Sequence, residues 1–333
     1  MKIPLKYLTE IPSKIVNLEV TQVREAFEAP TLIELEGRRK KPLFLSFLLH
    51  GNETTSFYVL KKLQAYVAKN PLPRSLILFI GNVYAAEEAM RFLPEQKDYN
   101  RVWSGGAAKE HDLAEEIKEF ARKKAPLFAS IDIHNNTGAN PFYACINHLK
   151  SPSVYLASLF TRTIVYFQSP RTAQSVAFSK ICPSVTLECG QSGETAGIDK
   201  TYQYILDVMH METLDHKLKK GDVSIYETVG RIMINDHVDF DFSPIASELR
   251  FEEGFEKLNF TPLEEGSFFA HFNGTESPIK VFNDYGEDVF DDYFMLKNGE
   301  LRIKQEVIPS MFTKNKQVIL QDCLGYIMKC VEV

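Results

Sequence analysis

The segment Leu49-His50-Gly51-Asn52-Glu53 sets an imidazole and a carboxylate three positions apart, where an apolar run gives way to a stretch of helical period. At a strand end ahead of a helix, both side chains can face one point. Neutral imidazole and carboxylate are good zinc ligands, and a catalytic zinc commonly takes three protein ligands and keeps a fourth position for water. The best candidate for a third ligand is His134, in Ile131-Asp132-Ile133-His134-Asn135-Asn136-Thr137-Gly138. It too lies at the carboxyl end of an apolar run, where open α/β sheets place their binding crevice. H-x-x-E spacing alone is common by chance. However, Asp132 and His134 alternate on one face of a buried strand, which is costly unless they are paired or ligated, and that favours a site. Asp132 is expected to orient a ligand from behind it, outside the set that touches the metal.

Water activated at a metal needs a proton acceptor and the leaving group a donor, and one carboxylate can serve both. Glu188, in Thr186-Leu187-Glu188-Cys189-Gly190, ends a further apolar run and would be expensive to bury without a function. A tetrahedral oxyanion also calls for a fixed cation, which arginine supplies. Arg91 and Arg101 are the candidates. Arg101 follows Asn100 in Lys97-Asp98-Tyr99-Asn100-Arg101-Val102-Trp103, so an amide and a guanidinium stand together where they could clamp a carboxylate. Taken singly, either arginine is more often a member of a surface ion pair.

These residues must be positioned by a layered α/β fold. Apolar runs rich in β-branched and aromatic residues, at 43–49, 75–80, 127–133, 163–167 and 184–187, read as strands covered on both faces. Between them, 55–67, 112–125 and 198–219 carry apolar residues at helical spacing, and the last ends in a basic turn before Gly221. The first forty residues read as one or two strands leading into the sheet. After Gly221 the texture changes to short segments punctuated by Pro, Gly, Asn and Asp, which reads as mostly β. The chain thus divides into a domain over 1–220 and a smaller β-rich domain over 221–333.

Composition narrows the function. The 333 residues are 44% hydrophobic and 25% charged with a net charge of -6, as for an ordinary globular protein of about two domains. Without a basic footprint, nucleic acid is not an expected partner. No apolar stretch approaches the length of a membrane span and no signal-type core follows the N-terminus, so no membrane partner is expected. Five cysteines without C-x-x-C spacing suggest reduced thiols and a cytoplasmic location. No G-x-G-x-x-G or P-loop pattern follows any strand, which sets aside a nucleotide-binding domain.

In their order along residues 50–190, His50-Gly51-Asn52-Glu53, Asp98-Tyr99-Asn100-Arg101, Asp132-Ile133-His134-Asn135 and Leu187-Glu188-Cys189-Gly190 resemble the motif set of the succinylglutamate desuccinylase/aspartoacylase family, a branch of the zinc carboxypeptidase superfamily. The resemblance implies an α/β catalytic domain over 1–220 with a zinc-carboxypeptidase-like mixed sheet flanked by helices, and a smaller, mostly β domain over 221–333. It implies one Zn2+ per chain on His50, Glu53 and His134, Glu188 as general base and acid, and Arg91 polarising the scissile carbonyl. Asn100 and Arg101 would anchor the carboxylate of a small-molecule substrate. The implied activity is hydrolysis of the amide bond of a small N-acyl amino acid or similar compound, with ester cleavage open. The alternatives are a carboxypeptidase acting on peptides or cell-wall fragments, and a binding protein that retains a metal without catalysis. Two departures stand out. Tyr99 replaces the family's leucine, leaving the Asn-Arg pair intact, and Gln174 stands where aspartoacylases carry a substrate-binding arginine, which argues against N-acetylaspartate. Arg162 and Arg171 are candidates to replace it.

Overall fold

The computed structural model describes residues 2–243 and 247–331. The chain forms two compact units, Met1–Asn135 with Phe142–Val223, and Asn136–Pro141 with Ser224–Val333. The first is built on a mixed sheet of β1 (Lys6–Leu8), β2 (Thr31–Leu35), β3 (Arg39–Phe47), β4 (Arg74–Ile80), β5 (Ala129–Asn136), β6 (Tyr143–Ile146), β7 (Thr163–Tyr166) and β8 (Ser184–Gln191). The spatial order is β1-β2-β4-β3-β5-β8-β6-β7. β3 runs parallel to β4 and to β5, whereas β2 pairs antiparallel with β4 and β6 with β8. β3, β4, β5 and β8 coincide with expected strands. Their buried stretches are nearly unbroken, which is what helices on both faces require.

The helices Thr55–Val67 and Thr195–His210 pack on each other. Elsewhere in this unit Phe44 and Phe178 meet at 4.3 Å, and Trp103 lies edge-on to Phe79 and Phe178, in a core that also takes Leu113 and Ile117 from the helix Lys109–Lys123. The last helix ends at His210, not at 219 as its period and basic stop suggest. Met211 turns extended (φ -65, ψ 146), and its carbonyl accepts a 2.6 Å hydrogen bond from Nη2 of the buried Arg74. The Lys-rich stop belongs to a separate turn, in which Asp222 Oδ2 accepts from Lys219 N–H and Gly221 sits at φ 90.

The second unit is β-rich and smaller. β9 (Ser224–Ile234) pairs antiparallel with β17 (Gly325–Val331) and with β13 (Ile279–Phe282), and β17 with β16 (Ile308–Ser310). A second sheet runs β10 (Phe240–Asp241), β11 (Leu249–Arg250), β12 (Phe268–Phe272), β15 (Glu300–Ile303), β14 (Phe294–Lys297). Its core is aromatic: Phe255 stacks on Phe312 at 4.5 Å, and Phe269 meets both edge-on. Among the described residues, no helix is long and apolar enough to cross a membrane.

Candidate metal centre

The chain leaves β3 through Leu48 in the left-handed conformation (φ 54), with its N–H held by Ser56 Oγ at 3.0 Å, and crosses to the helix Thr55–Val67 through His50–Glu53. Gly51 lets this crossing press onto its neighbour. A Cβ there would lie 2.3 Å from Ala85 C and from Ala86 N, and 2.6 Å from Met90 O. Gly51 N–H donates to Arg91 O at 3.1 Å, so the same contact brings Arg91 to the site.

Glu53 is the centre of the cluster. Its Oε1 lies 2.6 Å from His50 Nδ1 and its Oε2 lies 2.7 Å from His134 Nδ1. Ligand atoms from His50, Glu53 and His134 all fall within 4.8 Å of one another, the one group of this kind among the described residues. Behind each ring stands another carboxylate. Asp98 Oδ1 is 3.1 Å from His50 Nε2, and Asp132 Oδ2 is 2.8 Å from His134 Nε2. Asp132 is itself fixed by Ser46 Oγ, which donates to Oδ1 at 2.8 Å. When each Nε2–H is donated rearward, each Nδ1 lone pair turns toward Glu53, the tautomer a metal ligand needs.

The electrostatics fit a cation. Burial alone would raise the Glu53 carboxyl, but the charges of His50 and His134 hold it well below the usual carboxylate range. Burial likewise works against a charged His134, yet Asp132 and Glu53 hold that imidazole well above its ordinary value. Asp98, buried too, is held low by His50 and Arg91. The His134 proton thus supplies positive charge that these carboxylates demand, and a divalent ion binds by replacing such a proton. Two imidazoles and a carboxylate, each imidazole with an outer carboxylate, suit zinc.

Glu188 lies in β8, the strand next to β5, which carries His134. Its carboxyl is pushed up to about 8, chiefly by burial, with Glu53 and Asp132 adding to the rise and His134 and Arg91 opposing it. Its Oε2 has no hydrogen-bond partner among the described residues. Arg91 reaches the same cluster, with Nε and Nη2 on Asp98 Oδ2 at 3.2 and 3.1 Å and Nη1 3.5 Å from Glu53 Oε1.

Asn100 and Arg101 follow Asp98 in a loop held by Trp103, whose indole N–H donates to Tyr99 O at 2.7 Å. Asn100 Oδ1 accepts from Gln174 N–H at 2.8 Å, and its Nδ2 lies 3.3 Å from His134 Nε2. Arg101 is half-buried, with Nη1 on Asn100 O at 3.2 Å. Gln174 is fully buried and donates from Nε2 to Ser130 Oγ at 3.2 Å. Arg162 is held at the surface by the carbonyls of Gly221 and Asp222, and Arg171 is exposed. The structure therefore brings His50, Glu53, His134 and Arg91 together and sets Asn100 beside them. It does not gather Arg162 into the cluster.

Asp98 and Asn135 stand within the sequence motifs, but the sequence alone assigns them no work. The structure gives Asp98 the rear of His50, and it gives Asn135 a backbone N–H that donates to Glu53 Oε2 at 3.1 Å. A carboxylate two residues before an Asn-Arg pair was the available signal for the first, but its partner is 48 residues away.

Several solved structures share this fold. A succinylglutamate desuccinylase from Vibrio parahaemolyticus superposes with a TM-score of 0.61 at 14% identity, covering 90% of this chain and 86% of that one. A succinylglutamate desuccinylase from Chromobacterium violaceum gives 0.59 at 16% identity over 92% and 90% of the two chains. Murine aminoacylase 3 gives 0.60 at 16% identity over 90% and 97%. At these identities the likeness concerns the fold. No protein of curated function matches the chain in sequence. Residues 40–208, just over half of the 333, match the succinylglutamate desuccinylase/aspartoacylase catalytic domain, and they include both imidazoles, Glu53, the Asp98–Arg101 loop and Glu188. The chain belongs to the succinylglutamate desuccinylase/aspartoacylase family of hydrolytic deacylases.

Proposed function

We propose that this protein is a zinc-dependent hydrolase that cleaves the amide bond of a small N-acyl amino acid or similar carboxylate-bearing compound. The observation that carries this reading is the convergence of two imidazole Nδ1 atoms on the two oxygens of Glu53, at 2.6 and 2.7 Å, with an outer carboxylate on each ring. His50, Glu53 and His134 would hold one zinc ion, which when bound supplies a Lewis acid for the carbonyl and acidifies water.

The chain's own groups supply the remaining steps. Glu188 accepts a proton from the attacking water at its carboxylate and returns it to the departing nitrogen, a role suited to a carboxyl whose burial tunes it toward neutral pH. Arg91, fixed by Asp98, offers its guanidinium to the developing oxyanion. Asn100 and Arg101 anchor the substrate carboxylate, with Arg101 supplying the charge. Gln174, bound into the scaffold in place of a second arginine, favours substrates without a further carboxylate at that point. The partner in this reading is a small molecule, in the cytoplasm.

The test is metal analysis of the purified protein beside turnover of a panel of N-acyl amino acids. We expect about one zinc per chain, lost in His50→Ala and His134→Ala. Glu188→Gln should keep zinc while losing turnover by several orders of magnitude. A metal-free protein after zinc is supplied would reject the reading, and an active Glu188→Gln would remove that residue from the mechanism.

A further inference from the structure

Asn135 is 4% exposed, and every polar atom of its side chain is engaged. Its Nδ2 donates to Thr55 Oγ1 at 2.8 Å and to Gly190 O at 2.9 Å, and its Oδ1 accepts from Thr55 N–H at 3.1 Å. Its backbone N–H donates to Glu53 Oε2. Thr55 stands two residues after Glu53, Gly190 two residues after Glu188, and Asn135 directly after His134. Alternation along β5 turns the Asn135 side chain to the sheet face opposite His134. One carboxamide therefore joins the three segments that carry a ligand, a second ligand and the general base.

We propose that Asn135 is a positioning residue that sets Glu188 at its working distance from His134 and Glu53. The inference rests on the hydrolase reading above. It assigns separate work to each arm of the amide. The Thr55 arm holds the Glu53 loop against β5, and the Gly190 arm holds the end of β8, and with it Glu188, in register. No other side chain of the site touches all three segments among the hydrogen bonds described.

Two nearly isosteric variants separate the arms. Asn135→Asp keeps an acceptor for Thr55 N–H, and the Thr55 hydroxyl can turn to donate to it, but Gly190 O then faces an oxygen instead of an N–H. Thr55→Val removes only the Oγ1 acceptor and leaves the Gly190 arm intact. We expect Asn135→Asp to lower kcat per bound zinc by about 10- to 100-fold, with KM within about threefold and zinc affinity not reduced. Thr55→Val should instead weaken zinc binding to the apo-protein by about 10-fold in chelator competition and alter the visible spectrum of the cobalt-substituted protein. A merely structural Asn135 would lower the melting temperature and leave kcat per bound zinc unchanged, and that result would overturn the proposal. Should Asn135→Asp not fold, Asn135→Ser, which removes the carboxamide and with it the donor to Gly190 O, takes its place, and unchanged kcat per bound zinc in that variant would overturn the proposal. A wild type that binds no zinc or cleaves no N-acyl amino acid would instead overturn the hydrolase reading, and this inference with it.

Discussion

Asp98 faces His50 with one carboxylate oxygen and Arg91 with the other: Oδ1 is 3.1 Å from His50 Nε2, and Oδ2 takes Arg91 Nη2 at 3.1 Å and Nε at 3.2 Å. A single carboxylate thus orients a candidate ligand and holds the cation proposed for the oxyanion. An asparagine in its place would keep the volume and lose the charge. We expect Asp98→Asn to lower zinc affinity by about 10- to 100-fold, the usual range for an outer carboxylate behind a ligating histidine. Competition with a chelator measures this, and wild-type affinity would remove Asp98 from the site.

Gly51 makes a prediction of a different kind, because what surrounds it is backbone. A Cβ would come within 2.3 Å of Ala85 C and Ala86 N, which no rotamer change can relieve. Gly51→Ala must therefore displace the His50–Glu53 crossing. We expect the variant to lose metal while the second unit, which has an aromatic core of its own, keeps its fold. Metal analysis together with near-ultraviolet circular dichroism tests both parts, and a fully metallated Gly51→Ala would show that the crossing can shift freely.

Metal binding should stabilise the protein and release protons. At a free zinc concentration of 100 times Kd, the added stability is about 2.7 kcal/mol. His134, held protonated by Asp132 and Glu53, must lose that proton when Nδ1 becomes a ligand. Calorimetric titration in two buffers of different ionisation enthalpy should give different apparent heats, with proton release by the protein. Identical heats would mean that the His134 imidazole is already neutral. His50→Ala should show neither the heat nor a rise in melting temperature.

The parts of this arrangement that could be read from sequence are those with short-range patterns. His50 and Glu53 are three residues apart, and β3, β4, β5 and β8 announce themselves as apolar runs because both of their faces are covered. What could not be read depends on distant partners. β6, Tyr143–Ile146, carries one β-branched residue where the equally short β7 carries three, and it finds its place by pairing Tyr143 with Glu188. The helix Thr195–His210 stops where Arg74, 137 residues earlier, takes the Met211 carbonyl, so local composition pointed to the wrong end. Asn135 looks like any polar residue after a strand until Thr55 and Gly190 arrive from 80 residues before and 55 after.

Glu188 links the candidate chemistry to stability through pH. Its carboxyl is pushed up to about 8 in the folded, metal-free protein, mainly by burial, against an ordinary value of 4.5 in the unfolded chain. Between those values the native state holds a proton that the unfolded state has released. Stability therefore falls as pH rises through that window, by on the order of 1 kcal/mol per unit for this group alone. Glu53 and Asp98, held low by their histidine and arginine neighbours, act in the opposite sense, with stability present at neutral pH and lost on acidification. The contribution of Glu188 is isolated by difference. Glu188→Gln cannot ionise, so its stability relative to the wild type should grow as pH is raised from about 5 toward 8 and level off above. Zinc should shrink the difference, because a nearby cation favours the carboxylate and lowers its proton affinity. Urea unfolding of both apo-proteins across this range is the measurement. A pH-independent difference would mean that Glu188 is already ionised in the fold, and the carboxyl would then lack the raised affinity that lets it return a proton to a leaving nitrogen near neutral pH.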